Sequence, residues 1–205
     1  MKTKSGIILP DNYQFYVKPT ELEISQRKLE GYQKLAKIRQ WRIKYPTRFM
    51  SEFIGVELLD SQEYTFMMSW ITPFVLWLES RSAGKTTKLA LFAMVRGLLA
   101  DLPYRIYICS GTADQSQETF RKIEDIALKN IGSMTGLTDV FKNEVEISQA
   151  NSNGFIHNPM GFTYRLYNGS FVKTLNSNIN AKRGKRCECV CFDEGGWLSE
   201  EEFNV

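Results

Sequence analysis

One histidine, His157, serves all 205 residues, and no apolar run approaches the roughly 18 to 20 residues that span a bilayer. The opening stretch MKTKSGIILPDN has a short apolar patch but no hydrophobic region followed by a cleavage site, which argues against a secretory signal. Cysteine is scarce: Cys109, Cys187, Cys189 and Cys191, three of them within five residues. That crowding is unlike a secreted disulfide framework and points to a reducing compartment. Excess charge is also small, +3 with a pI near 8.6, so contact with a polyanion is permitted but not indicated. There is no internal repeat and no low-complexity tail. What remains is ordinary globular composition, 43% hydrophobic and 13% aromatic, at a length suiting one moderate domain or slightly more.

Helix and strand signals alternate along the chain. Residues 1–20 lack periodicity and read as an arm. Residues 21–45, rich in Lys, Arg, Gln, Glu and Leu, predict a charged surface helix closed by Pro46, because the residue before a proline is pushed out of the α region. A second helix is expected over 60–70 with Asp60 as its N-cap. FVLWLE, 74–79, is a short apolar run bounded by breakers and reads as a buried strand. KLALFAMVRGLLA reads as a buried helix, YRIYICS (104–110) as a strand, and Thr112 as the start of a helix with Phe120, Ile123, Ile126 and Ala127 on one face. Residues 132–160 carry no clear period. Asn168-Gly169, between alternating runs, signals a hairpin. The alternation predicts an α/β domain around a largely parallel sheet flanked by helices.

Ser80-Arg81-Ser82-Ala83-Gly84-Lys85-Thr86-Thr87 lies between the expected strand and the buried helix. A turn there points backbone N–H groups into a concavity at a helix N-terminus, where an anion is stabilised. Lys85 adds a point charge for the β- and γ-phosphates of a nucleotide such as ATP, and the Thr86 hydroxyl is a ligand for Mg²⁺. The full phosphate-loop pattern asks for glycine at 79, and this chain has Glu79. A chance GKT in a surface loop is the bland alternative.

The cysteine cluster in CECVCFDEGG (187–196) has two readings. Along a strand, residues 187, 189 and 191 share a face roughly 7 Å apart in succession, whereas zinc holds four ligands, thiolates at about 2.3 Å. A straight strand cannot bring three such sulfurs to one ion, and His157 is remote in sequence. Free cysteine also behaves as a small hydrophobe. The favoured reading makes Cys189–Phe192 core residues of a buried strand with Asp193-Glu194 at its carboxyl end, where ligands of open α/β sheets bind. Asp193 then shares the Mg²⁺ with Thr86, and Glu194 is the general base.

The chain also resembles a known family. An arginine-bearing loop lacking its first glycine (SRSAGKTT) and an apolar run ending in Asp-Glu (CVCFDE) are similar to the N-terminal packaging ATPase of the large terminase subunit of tailed bacteriophages. Pro46, Phe49, Gly55, Leu58 and Gln62 in YPTRFMSEFIGVELLDSQ match that family's upstream run. SGTADQSQETF, NGSFVKTL and KRGKR follow in its order, and the resemblance covers about 46–199. It implies a P-loop ATPase domain, partial, over 46–205, preceded by an arm and surface helix over 1–45. Relatives continue into a metal-dependent nuclease domain, while this chain ends eleven residues after Glu194, so cleavage is not expected of these residues. By the same resemblance Gln62 reads the adenine edge, Arg81 senses the γ-phosphate, and Arg183 is the candidate arginine finger, though 182–186 equally suits contact with a DNA backbone.

The implied activity is hydrolysis of Mg-ATP in a homo-oligomeric ring on the portal of a procapsid, drawing in double-stranded DNA with a small terminase subunit as partner. The implied setting is the cytoplasm of an infected bacterial host, with no membrane association. The rival readings are another nucleic-acid-dependent P-loop ATPase such as a helicase, a non-enzymatic nucleic-acid-binding or scaffold protein with a degenerate loop, and a small zinc module.

Overall fold

The computed structural model describes residues 26–80, 83–129, 135–175 and 186–194. Helix α1 (Gln26–Lys44) stops where expected, with Tyr45 at φ −131° and ψ 63° ahead of the proline. Pro46 then opens the short α2 (Pro46–Phe49) at its first position, where a missing N–H costs nothing. One π turn (Met50–Ile54) follows and ends at Gly55. Helix α3 spans Asp60–Ile71, one position off the expectation: Leu59 is the cap, its N–H bonded to Gln62 Oε1 at 3.1 Å. Asp60 instead sits in the first turn, where its charge suits the positive end of the helix.

Helix α4 (Lys85–Leu99), strand β1 (Arg105–Cys109) and helix α5 (Ala113–Leu128) form the centre, with Thr112 accepting from Gln115 N to cap α5. Phe120, Ile123, Ile126 and Ala127 are fully buried, as their spacing predicts. Burial of each large side chain of this kind stabilises the fold by about 1.5–3 kcal/mol. Helix α6 (Thr135–Glu144) lies in the aperiodic stretch and buries Leu137, Val140 and Phe141. Strands β2 (Ile156–Asn158), β3 (Gly161–Arg165), β4 (Phe171–Thr174) and β5 (Cys189–Phe192) complete the sheet.

The sheet order is β2-β3-β4-β1-β5. β1 is parallel to both β4 and β5, while β3 is antiparallel to β2 and β4. The sheet is therefore mixed, not largely parallel: half its pairings are antiparallel. The Asn168-Gly169 hairpin is the cause, since it returns β4 directly along β3 (Arg165 opposite Phe171) before β4 joins β1.

Two further expectations fail. The 74–79 run belongs to no strand among the described residues, and Phe74, Leu76 and Leu78 are 80–91% exposed. β5 is an outer strand, not a fully buried one: Cys191 is buried, but Val190 and Phe192 are 40% and 37% exposed. Both have one physical reason. A strand is buried only by neighbours on both sides, and among the described residues β5 pairs with β1 alone.

Helices α4 and α5 pack against each other over the face of the sheet carrying Ile106, Ile108, Val172 and Cys191. The end of α4 is pinned to the start of β4, Asn168 Nδ2 donating to Gly97 O at 2.9 Å and to Ala100 O at 3.4 Å. A 15-residue helix is about 22 Å long. The Asn168 anchor sets the C-terminal end of α4 at the edge where β4 begins. Among the described residues no helix is long and apolar enough to cross a membrane.

Candidate functional site

The turn into α4 depends on Gly84, whose φ of 77° is the left-handed region that side-chain-bearing residues enter at a cost. Lys88 N bonds Gly84 O at 2.9 Å to start the helix. The N–H groups at the head of α4 have no acceptor within the helix, which makes this end of the macrodipole a seat for an anion. Lys85 folds back over the loop, its Nζ donating to Glu79 O at 2.9 Å and Ser80 O at 3.3 Å. Backbone carbonyls are weak partners for an ammonium compared with a phosphate.

Glu79, the residue standing where the phosphate-loop pattern wants glycine, turns inward. Its carboxylate pairs with Lys88 Nζ, and that ammonium also lies 5.1 Å from the Trp77 ring centroid. The side chains of Lys88 and Glu79 are only 6% and 17% exposed. Glu79 beside bound phosphates would repel them. Lys88 neutralises it, and among the described residues no carboxylate pairs with Lys85.

At the other element, Asp193 extends the β5 ladder by one bond, its N–H to Cys109 O at 2.9 Å. Its Oδ2 accepts from the fully buried Thr119 hydroxyl of α5 at 2.5 Å. Glu194 then leaves the strand direction with φ 55°, the only non-glycine residue with positive φ among those described. That conformation costs about 1–2 kcal/mol and is the kind of backbone departure that collects at functional positions. The opposite end of β5 is held by Glu188, which accepts from Arg105 Nε at 3.0 Å and Nη2 at 2.6 Å. The Arg105 guanidinium keeps the Glu188 carboxyl below its ordinary range.

The cysteines do not gather round a metal. Cys189 and Cys191 share a face with their sulfurs 3.9 Å apart, whereas Cys187 packs with Tyr107, Cys109 and Leu175. Hydrogen bonding with Cys191 lowers the Cys189 thiol, while the same contact and complete burial push Cys191 up. Among the described residues no three His, Cys, Asp or Glu side chains are grouped to hold a metal ion. Mg²⁺ binds hard oxygens, keeps several waters and leans on substrate phosphates. The donors available, Thr86 and Asp193, are of that kind.

The expected residues thus fall in two groups. Ser80, Ala83, Gly84, Lys85, Thr86 and Thr87 stand at the head of α4; Asp193 and Glu194 stand beyond the carboxyl end of β5. No hydrogen bond or ion pair joins the groups, the carboxylate of Asp193 being turned to α5. Gln62 lies apart on α3, where its amide oxygen caps its own helix. Arg81, Ser82 and Arg183 lie outside the described residues. Sequence reasoning missed Lys88 and Thr119. Glu79 was a usable signal for the first, since an acid beside a phosphate loop needs a counter-charge within reach. No protein-family model matches the chain, and no curated protein matches it.

Proposed function

We propose that the chain is an ATP-hydrolysing motor domain of a viral DNA-packaging terminase, holding Mg-ATP at the carboxyl edge of its sheet. One observation carries the nucleotide part: Lys85, an ammonium with no carboxylate partner among the described residues, stands at the head of a long buried helix, and Asp193 and Glu194 follow the carboxyl end of β5. In this reading the first-turn N–H groups of α4 and Lys85 cradle the phosphates, and Thr86 and Asp193 hold the Mg²⁺. Bound Mg²⁺ supplies neutralisation of charge on the phosphate oxygens. Glu194 accepts the proton of the attacking water. Gln62 reads adenine, Arg81 senses the γ-phosphate, and Arg183 reaches a neighbouring subunit's site in a ring. Those three roles, with double-stranded DNA as the cargo and a portal and small terminase subunit as partners, rest on the resemblance alone.

The test is calorimetric. Lys85→Ala is expected to abolish heat of binding for Mg-ADP and for a non-hydrolysable Mg-ATP analogue. Equal affinity in the variant would remove the phosphate site from this loop. Hydrolysis is tested separately by phosphate release from Glu194→Gln, which is expected to bind as tightly and turn over at background.

A further inference from the structure

We propose that Thr119 is a positioning residue for Asp193 and, through it, for the divalent cation that accompanies a bound nucleotide. This rests on the nucleotide reading above.

A buried hydroxyl without a hydrogen bond is costly, so where it donates is informative. Within a helix the default acceptor is a carbonyl one turn back. Thr65 donates to Ser61 O and Gln62 O, Ser69 to Thr65 O, and Ser116 to Ala113 O in this way, while the buried Thr138 of α6 donates across to Ile126 O of α5. Thr119, fully buried in α5, also departs from the default. It donates to Asp193 Oδ2 across 74 positions of sequence. A hydrogen bond to a carboxylate is about twice as strong as one between neutral partners.

Asp193 is consequently held at two points. Its N–H is bonded to Cys109 O of β1, and its carboxylate to α5. One oxygen is occupied and the other has no hydrogen-bonding side chain among the described residues, the arrangement of a carboxylate presented through a single oxygen. The residue after it swings into the left-handed region. Without Thr119, the Asp193 side chain would be free to rotate just where the main chain changes direction. Groups that orient a metal ligand matter nearly as much as the ligand, their loss costing about 10–100-fold in metal affinity.

The test uses the full 205-residue chain, with Mn²⁺ as the probe ion and ADP saturating. Free Mn²⁺ is read by electron paramagnetic resonance. Thr119→Val keeps the shape and removes the donor; Thr119→Ser keeps the donor and removes the methyl. The expected result is a Mn²⁺ dissociation constant raised about 10–100-fold in T119V, with metal-free ADP affinity unchanged and T119S close to wild type. Equal Mn²⁺ affinity in T119V overturns the proposal. So does T119S binding as weakly as T119V, because that makes the methyl, not the hydroxyl, responsible. Melting temperatures are recorded for each, and Thr119→Ala replaces valine if T119V does not fold. Wild-type protein that binds no ADP refutes the nucleotide reading itself, a result distinct from either of these.

Discussion

Replacing Glu194 by glycine is expected to stabilise the protein while abolishing its turnover. Glu194 stands at φ 55°, where a residue with a Cβ is disfavoured by about 1–2 kcal/mol. Glycine relieves that strain but gives up about 0.5–1 kcal/mol through the freedom of the unfolded chain. The balance is about 0.5–1 kcal/mol in favour of Glu194→Gly. For a chain of this size that raises the melting temperature by about 1–4 °C, measurable by differential scanning fluorimetry. Glu194→Gln separates the two effects, because it keeps the strained backbone and loses only the base. It is expected to melt with the wild type and, like the glycine variant, to lose about 10²–10⁴-fold in phosphate release. A Glu194→Gly variant that melts below the wild type would show that strain is not stored at this residue. One that keeps its turnover would show that the strained residue is not the base.

Lys88→Met removes one half of a buried pair and leaves Glu79 uncompensated. The expected loss is roughly 3–5 kcal/mol, a fall of about 10 °C in melting temperature, together with weaker Mg-ADP binding as Lys85 turns to Glu79. Most of both losses is expected to return in the double variant with Glu79→Gln, and an unshifted melting curve for K88M would refute the pairing. Glu188→Gln tests the clasp at the start of β5. Its carboxyl is held below the ordinary value of 4.5 by Arg105, so the stabilisation is present above that pH and is lost as pH falls below it. The gap between wild type and E188Q in urea titrations is expected to close on acidification; a gap unchanged well below pH 4.5 contradicts the assignment. Gly136→Ala would put a Cβ 1.7 Å from Ile54 O, displacing α6 from the π turn, and circular dichroism is expected to show a markedly lower midpoint. A midpoint equal to wild type would show that this close approach is absent.

Local patterns were legible wherever one element decides its own form. Phe120, Ile123, Ile126 and Ala127 repeat at helical spacing and are buried, and Asn168-Gly169 specifies a hairpin by backbone chemistry alone. What stayed hidden depends on neighbours. The 74–79 run is apolar enough for a sheet interior, yet composition cannot say which strands lie beside it. The outer position of β5 likewise follows from the order of strands and not from CVCF itself. At the candidate site the chemistry-bearing types stood out because glycine, lysine and threonine before a helix, and paired acids after a strand, are the types that phosphate and Mg²⁺ chemistry uses. Their supports did not. Lys88 is one lysine near the start of a buried helix until Glu79 is seen to turn toward it. Thr119 is separated from Asp193 by 74 positions, and no spacing rule links them.

The outer place of β5 among the described strands also bears on how the molecule behaves in concentrated solution. Among the described strands β5 pairs with β1 only, and Phe74, Leu76 and Leu78 are exposed on the run preceding α4. An unpaired strand margin invites a second chain to add to it, and clustered apolar side chains drive association that salt does not screen. Precipitation of the isolated chain should therefore persist at high ionic strength, and a lysine at Val190 should raise its solubility more than the same charge placed on α1.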